Sequence, residues 1–246
     1  MKALILAAGY ATRLYPLTIS KPKPLLPVKG KPIIDYTIDH LSNMPEVDEI
    51  YVVTNHRFYK NFKTWAADYK GKKKITVIND RTLTNEERLG AIGDIQLVIK
   101  EADINDDLII VAGDNLFAFD MRKFIDFSRL HAPNCSVALH DINSVDEAKK
   151  FGIVAIDKNN KILHFTEKPS RPESTLVAIC LYYFPKEKLS MVAKYLEESS
   201  HNDAPGNYIS WMVKNEDVFG FTFSEEWYDI GDKHTYESIK DSYKGE

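Results

Sequence analysis

Residues 4–28 read LILAAGYATRLYPLTISKPKPLLPV, and the order of chemistry in that stretch decides the fold. The apolar run Ala3-Leu4-Ile5-Leu6-Ala7 predicts a fully buried strand of the kind found in parallel sheets. Ala8-Gly9 then turns with little side chain, so backbone N–H groups can approach an anion closely. Arg13 adds a permanent forked charge, and Lys23 a point charge held between Pro22 and Pro24. Singly, each of these residues fits an ordinary strand-to-loop turn with solvated basic side chains. Together and in this order, they suit a site that grips a triphosphate and leaves its α-phosphorus open to attack.

Composition narrows the setting. A chain of 246 residues holds one large α/β domain, or one domain with a sizeable insertion. With 44% hydrophobic and 28% charged residues it has the make-up of a soluble globular protein. A formal net charge of −4 gives no basic footprint for nucleic acid, so cations for an anionic ligand must be concentrated locally. Cys135 and Cys180 lie in apolar, strand-like runs and are expected as free thiols. Gly9 and Arg13 interrupt the first apolar run, and no run is long enough to span a membrane. A cytoplasmic protein is expected, without membrane partner, signal peptide or hexapeptide-repeat extension.

The first half alternates strand and helix signals. Apolar runs at 3–7, 50–54, 75–78 and 108–112 are separated by helix-like segments near 32–43, 57–69 and 88–101. That alternation predicts a parallel sheet with helices on both faces, and ligands beyond the carboxyl ends of its strands. Gly9, Asn79-Asp80 and Gly113-Asp114 each follow a predicted strand and should gather on one rim. The second half changes character. Segments 151–156 and 161–167 flank the hairpin-like turn Asp157-Lys158-Asn159-Asn160, 176–184 is strongly β, and 186–198 has helical apolar spacing. A terminal helix is expected over 232–243.

Several polar residues stand where chemistry is done. Asp114, after glycine at the end of a buried strand, suits either a Mg²⁺ ligand beside a phosphate or a turn cap. Asp229 and Asp232, in Trp227-Tyr228-Asp229-Ile230-Gly231-Asp232, divide in the same way, with Asp229 for metal and Asp232 for capping. Lys168, stiffened by Pro169, suits a phosphate cradle or a solvated strand end. Neither G-x-G-x-x-G after the first strand nor G-x-x-x-x-G-K-[ST] occurs, which argues against a dinucleotide-binding oxidoreductase and a P-loop enzyme.

These residues resemble the signature of the sugar nucleotidyltransferases, written G-x-G-T-R-L, then P-L-T, then P-K-P-x-x-P-V. The chain offers Gly9-Tyr10-Ala11-Thr12-Arg13-Leu14, Pro16-Leu17-Thr18 and Pro22-Lys23-Pro24-Leu25-Leu26-Pro27-Val28. G-D-x at Gly113-Asp114, F-G-[IV] followed by E-K-P at 151–153 and 167–169, and W-x-D-x-G at 227–231 follow in the family's order. Within the family the nearest likeness is to glucose-1-phosphate thymidylyl- and uridylyltransferases. Two family glycines are replaced, by Ala11 and Cys180. If the backbone at 11 needs a positive φ, alanine is strained there.

The resemblance implies a Rossmann-like, three-layer α/β fold with a mostly parallel central sheet and an antiparallel-rich sugar-binding portion. It implies one nucleotidyltransferase domain over 1–246: a nucleotide-binding half (1–140), a sugar-phosphate-binding portion (141–225), and the second metal ligand with a terminal helix (226–246). Implied catalytic residues are Arg13, Lys23, Asp114, Lys168 and Asp229, with Mg²⁺ on Asp114 and Asp229. Leu6, Ala7, Ala8, Gly9, Thr12, Arg13, Asn79, Leu89, Gly90 and Asp114 are the implied nucleotide contacts. Gly152, Glu167, Lys168, Tyr182 and Asn207 are the implied sugar-phosphate contacts. The implied partners are a nucleoside triphosphate, UTP or dTTP first, and a sugar 1-phosphate; a homo-oligomer is compatible with the sequence. The rival readings are a CTP-dependent enzyme acting on phosphocholine, a phosphonate or another non-sugar phosphate, and a non-catalytic nucleotide-sugar-binding subunit.

Overall fold

A computed structural model describes residues 1–199 and 203–244. In chain order the elements are β1 (Lys2–Leu6), β2 (Pro27–Val28), β3 (Lys31–Pro32), α1 (Ile33–Ser42), β4 (Glu49–Thr54), α2 (His56–Asp68), β5 (Lys74–Asn79), α3 (Gly90–Glu101), β6 (Leu108–Ala112), β7 (Asn115–Phe117) and α4 (Met121–Leu130). There follow β8 (Cys135–Asp141), α5 (Val145–Ala148), β9 (Gly152–Ile156), β10 (Ile162–Glu167), β11 (Leu176–Phe184), α6 (Ser190–Glu198), α7 (Pro205–Asn215), β12 (Val218–Phe223), β13 (Trp227–Asp229) and α8 (Lys233–Ile239). They group into two compact units, one of residues 1–89, 111–118 and 225–246, the other of 90–110 and 119–224.

The first unit is built on parallel strands. β1 pairs in parallel with β4, and β4 with β5, so Leu6, Val53–Thr54 and Asn79 end side by side. The end of β6 lies on the other side of β1, where Gly113 N donates to Leu6 O at 2.9 Å. A continuous apolar strand is needed for this position: Ala3, Leu4 and Ile5 are wholly buried. Burying one such aliphatic side chain is worth about 1.5–3 kcal/mol. A second apolar cluster joins Leu14, Leu26, Val28 and Ile33 to Leu116, Ile230, Tyr236, Ile239 and Tyr243. It ties residues 14–33 to α8, reinforced by Tyr236 Oη donating to Pro27 O at 2.8 Å. Asp232 Oδ1 accepts from Thr235 N at 2.8 Å and so caps α8, the role expected for it.

The second unit carries the antiparallel part. β10 pairs with β9, β9 with β11 and β11 with β8, all antiparallel, while β12 runs parallel to β8. The mostly parallel α/β sheet with an antiparallel-rich part is thus the observed architecture. Among the described residues three helices, α4, the four-residue α5 and α7, have no counterpart in the sequence analysis. α4 opens with the Asp120 cap on Arg122 N (3.0 Å) and buries Met121, Phe124, Ile125 and Ser128. α7 places Pro205 in its first turn, where its missing N–H costs nothing, and buries Tyr208, Ile209 and Met212.

Candidate active site

In the first unit the signature loop follows β1. A side chain at Gly9 would meet nothing within 4 Å, and Gly9 does not carry a positive φ. The left-handed residue is Ala11, at φ 48° and ψ 44°, the position where the family pattern has glycine. Ala8 and Ala7 are buried, and Ala7 N donates to Val53 O at 2.9 Å. Thr12 and Arg13 are exposed on a single 3₁₀ turn, and among the described residues the Arg13 guanidinium has no hydrogen-bond or ion-pair partner.

Lys23 lies on the next 3₁₀ turn, its backbone fixed by Pro22 and Pro24. Its ammonium group is ion-paired with Asp114 Oδ2 and donates to Ile230 O at 3.0 Å. Asp114 sits between β6 and β7, and β7 pairs antiparallel with β13 so that Asp229 lies opposite Asn115. Ile230 N donates to Asp114 O at 3.3 Å. The fold therefore brings Lys23, Asp114 and Asp229 together. Gly113 is constrained by close approach, since a Cβ there would stand 3.0 Å from Leu6 O and 3.1 Å from Pro24 Cγ.

Asn79 ends β5 with both amide atoms engaged: Nδ2 donates to His56 Nδ1 (2.9 Å) and Oδ1 accepts from Arg81 N (2.8 Å). Leu89, half-buried, closes the unit.

In the second unit Gly90 is buried at the start of α3 with φ +77°, a conformation that favours glycine. Gly152, Glu167 and Gly206 form one cluster. A Cβ on Gly206 would stand 1.8 Å from Glu167 Oε2, and one on Gly152 3.0 Å from the same atom. The two glycines thus make a cradle for this carboxylate at the start of α7, beside Asn207. Burial pushes the Glu167 carboxyl up from its ordinary value, offset in part by Lys168, whose Nζ is 3.4 Å from Oε1. Lys168 itself is exposed, with a left-handed φ of 44°.

Tyr182 is 3% exposed, its ring parallel to Phe184 at 5.9 Å and its hydroxyl against the Cys180 thiol. Burial, with Cys180 and Glu167 nearby, pushes the phenol well above its usual value. Cys180, the second replaced glycine, has φ 55° within the irregular stretch of β11, where the register with β8 shifts.

A profile of the family described as "Nucleotidyl transferase" matches residues 2–245. The chain belongs to that family. Among curated relatives, the bifunctional protein GlmU of Methanocaldococcus jannaschii is 28% identical over 232 residues, covering 94% of this chain and 51% of the relative. Glucose-1-phosphate adenylyltransferase of Fervidobacterium nodosum is 30% identical over 249 residues, covering 95% and 59%. The chain therefore spans little more than half the length of these nucleotidyl transferases. The solved structure of a UDP-glucose pyrophosphorylase complexed with UDP-glucose superposes with TM-score 0.82 at 18% identity, covering 98% of this chain and 97% of that one. At that identity the likeness establishes the fold.

Sequence reading of the nucleotidyl transferase motifs passed over three polar groups that shape the site: Thr18, Asn55 and the Ile230 carbonyl. Thr18 lies inside a motif but reads as filler, and Asn55 signals only a helix cap. The Ile230 carbonyl carries no sequence signal at all. No helix among the described residues is long and apolar enough to cross a membrane.

Proposed function

We propose that the chain is a sugar-1-phosphate nucleotidyltransferase, joining a nucleoside triphosphate to a sugar 1-phosphate and releasing pyrophosphate. The observation that carries this reading is the Lys23–Asp114 pair, placed where β1 and β6 end in a chain of this family. An oxygen of the sugar 1-phosphate attacks the α-phosphorus in line, a new P–O bond forms, and the bond to the β-phosphate oxygen breaks. Pyrophosphate leaves with the electron pair. The attacking phosphate is already ionised near neutral pH, so no general base is needed, and catalysis rests on orientation and charge stabilisation.

Arg13 and Lys23 neutralise the departing β,γ-phosphates. Lys168 aims the sugar phosphate, and Glu167 accepts a sugar hydroxyl. The donor set fits Mg²⁺: Asp114 and Asp229 offer hard oxygens from adjacent strand ends, and Asp114 already draws a cation, the Lys23 ammonium. Bound there, Mg²⁺ would neutralise phosphate charge. UTP or dTTP is the proposed donor, in keeping with the likeness of the fold to a UDP-glucose pyrophosphorylase.

A panel of nucleoside triphosphates against sugar 1-phosphates and phosphocholine, scored by pyrophosphate release, tests the proposal. Turnover with a sugar 1-phosphate supports it. Turnover with CTP and phosphocholine alone, or ligand binding without pyrophosphate release, overturns it.

A further inference from the structure

The loop after β1 is held by its carbonyls and leaves its amides free. No backbone N–H from Ala8 through Arg13 donates a hydrogen bond to a described residue. By contrast, Asn55 Nδ2 donates to Ala8 O at 2.9 Å, and Thr18 Oγ1 donates to Ala11 O at 2.8 Å. Both side chains that make these bonds are wholly buried. Between them, Tyr10 is buried with its hydroxyl 3.2 Å from Thr82 Oγ1, which in turn donates to the Asp80 carboxylate. Satisfying buried carbonyls while leaving a run of amides open is the arrangement of an anion-binding nest, and Ala11 supplies its left-handed member.

We propose that Thr18 and Asn55 are positioning residues for triphosphate binding: they turn the Ala8 and Ala11 carbonyls away, so the loop presents N–H groups and not oxygens to the phosphates. Each acts through the backbone of the loop and touches no substrate. The inference rests on reading this loop as the triphosphate grip. An unpinned peptide plane is free to rotate its carbonyl oxygen toward the anion, which is repulsive. Preorganised donors avoid that reorganisation.

Asn55 also caps α2, since its Oδ1 accepts from Phe58 N at 3.0 Å. The two duties separate by substitution. Asn55→Asp keeps the cap acceptor and the shape but cannot donate to Ala8 O. Thr18→Val keeps the shape and loses the donor, and Thr18→Ser restores the donor.

The test is calorimetric titration of the whole chain with inorganic tripolyphosphate and, separately, with uridine. Thr18→Val and Asn55→Asp should each weaken tripolyphosphate about tenfold, the scale of one lost hydrogen bond at a preorganised anion site. Uridine affinity should not change, and Thr18→Ser should recover tripolyphosphate binding. Should Asn55→Asp fail to fold, Thr18→Val and its serine partner decide alone. Equal tripolyphosphate affinity in wild type and Thr18→Val, with only the melting temperature lowered, makes the pins structural and overturns the inference. Failure of the wild-type chain to bind tripolyphosphate overturns instead the triphosphate reading on which it rests.

Discussion

In the unit built on β1, the Asp114 carboxylate is held by the Lys23 ammonium, which also reaches Ile230 O. In the unit built on β11, the Glu167 carboxylate lies between Gly152 and Gly206, with Lys168 at 3.4 Å as its cationic neighbour. Side-chain exposure is similar, 23% for Asp114 and 16% for Glu167, so solvent access does not distinguish them. What differs is the company. Asp114 is matched to a cation, which suits a group that handles divalent charge beside phosphates. Glu167 is packed against glycine backbone and its carboxyl is pushed up, which suits a group that accepts a neutral hydroxyl.

The sharpest way to break this contrast is to remove the charged pair. Asp114→Ala or Lys23→Ala should keep the fold, checked by circular dichroism, and lower kcat for pyrophosphate release on the order of 10²–10³. Near wild-type turnover in either variant would remove the first unit from the chemistry.

Next in size is the cradle. Gly206→Ala places a methyl group against Glu167 Oε2 and must displace the carboxylate. It should destabilise by about 1–3 kcal/mol, as overpacking does. In the same variant KM for the sugar 1-phosphate should rise, with KM for the nucleotide unmoved. Equal shifts in both Michaelis constants would contradict the division of labour.

Glu167→Gln separates stability from function. A carboxyl with a raised folded-state pKa favours folding below its unfolded pKa and loses that advantage as pH rises through the folded value. Glutamine carries no such penalty. The variant should melt higher than wild type at neutral and alkaline pH, and the difference should vanish in acid below the carboxylate range. Sugar-phosphate KM should still rise, because an anionic acceptor is lost. A melting curve that tracks wild type at every pH would remove the burial argument.

The smallest effect concerns the two replaced glycines, one in each unit. Ala11 and Cys180 both sit at positive φ, a conformation costing non-glycine residues about 1–2 kcal/mol. Against this, glycine's greater unfolded entropy costs about 0.5–1 kcal/mol. Ala11→Gly and Cys180→Gly should therefore be neutral or mildly stabilising in chemical denaturation, whereas Ala66→Gly within α2 should destabilise by up to about 1 kcal/mol. Loss of stability at position 11 matching that at 66 would show the strain to be relieved elsewhere.

Much of this architecture is readable before any coordinates. β1, β4, β5, β6 and β11 are apolar runs bounded by turn residues, and the β9–β10 hairpin is marked by Asp157-Lys158-Asn159-Asn160. α7 was concealed because Pro205-Gly206 reads equally as a turn, although Tyr208, Ile209 and Met212 carry helical spacing. β7 and β13 are three residues each and take their stability from pairing across the sequence, so no local pattern announces them. Yet that pairing sets Asp229 opposite Asn115. The motif residues Lys23, Asp114 and Asp229 were identifiable by type and order. The bonds from Asn55 to Ala8 and from Thr18 to Ala11 were not, because they depend on how buried side chains meet distant backbone.

The most direct test of the central claim follows isotope from acceptor to product. The chain is incubated with UTP and glucose 1-phosphate labelled with ¹⁸O in its non-bridging phosphate oxygens, and the products are weighed by mass spectrometry. In-line attack by the sugar phosphate predicts that all label enters a nucleotide sugar, that pyrophosphate is unlabelled, and that Asp114→Ala slows the appearance of both products on the order of 10²–10³. Label in pyrophosphate or free phosphate, or no nucleotide sugar from any triphosphate and sugar 1-phosphate pair, would contradict it.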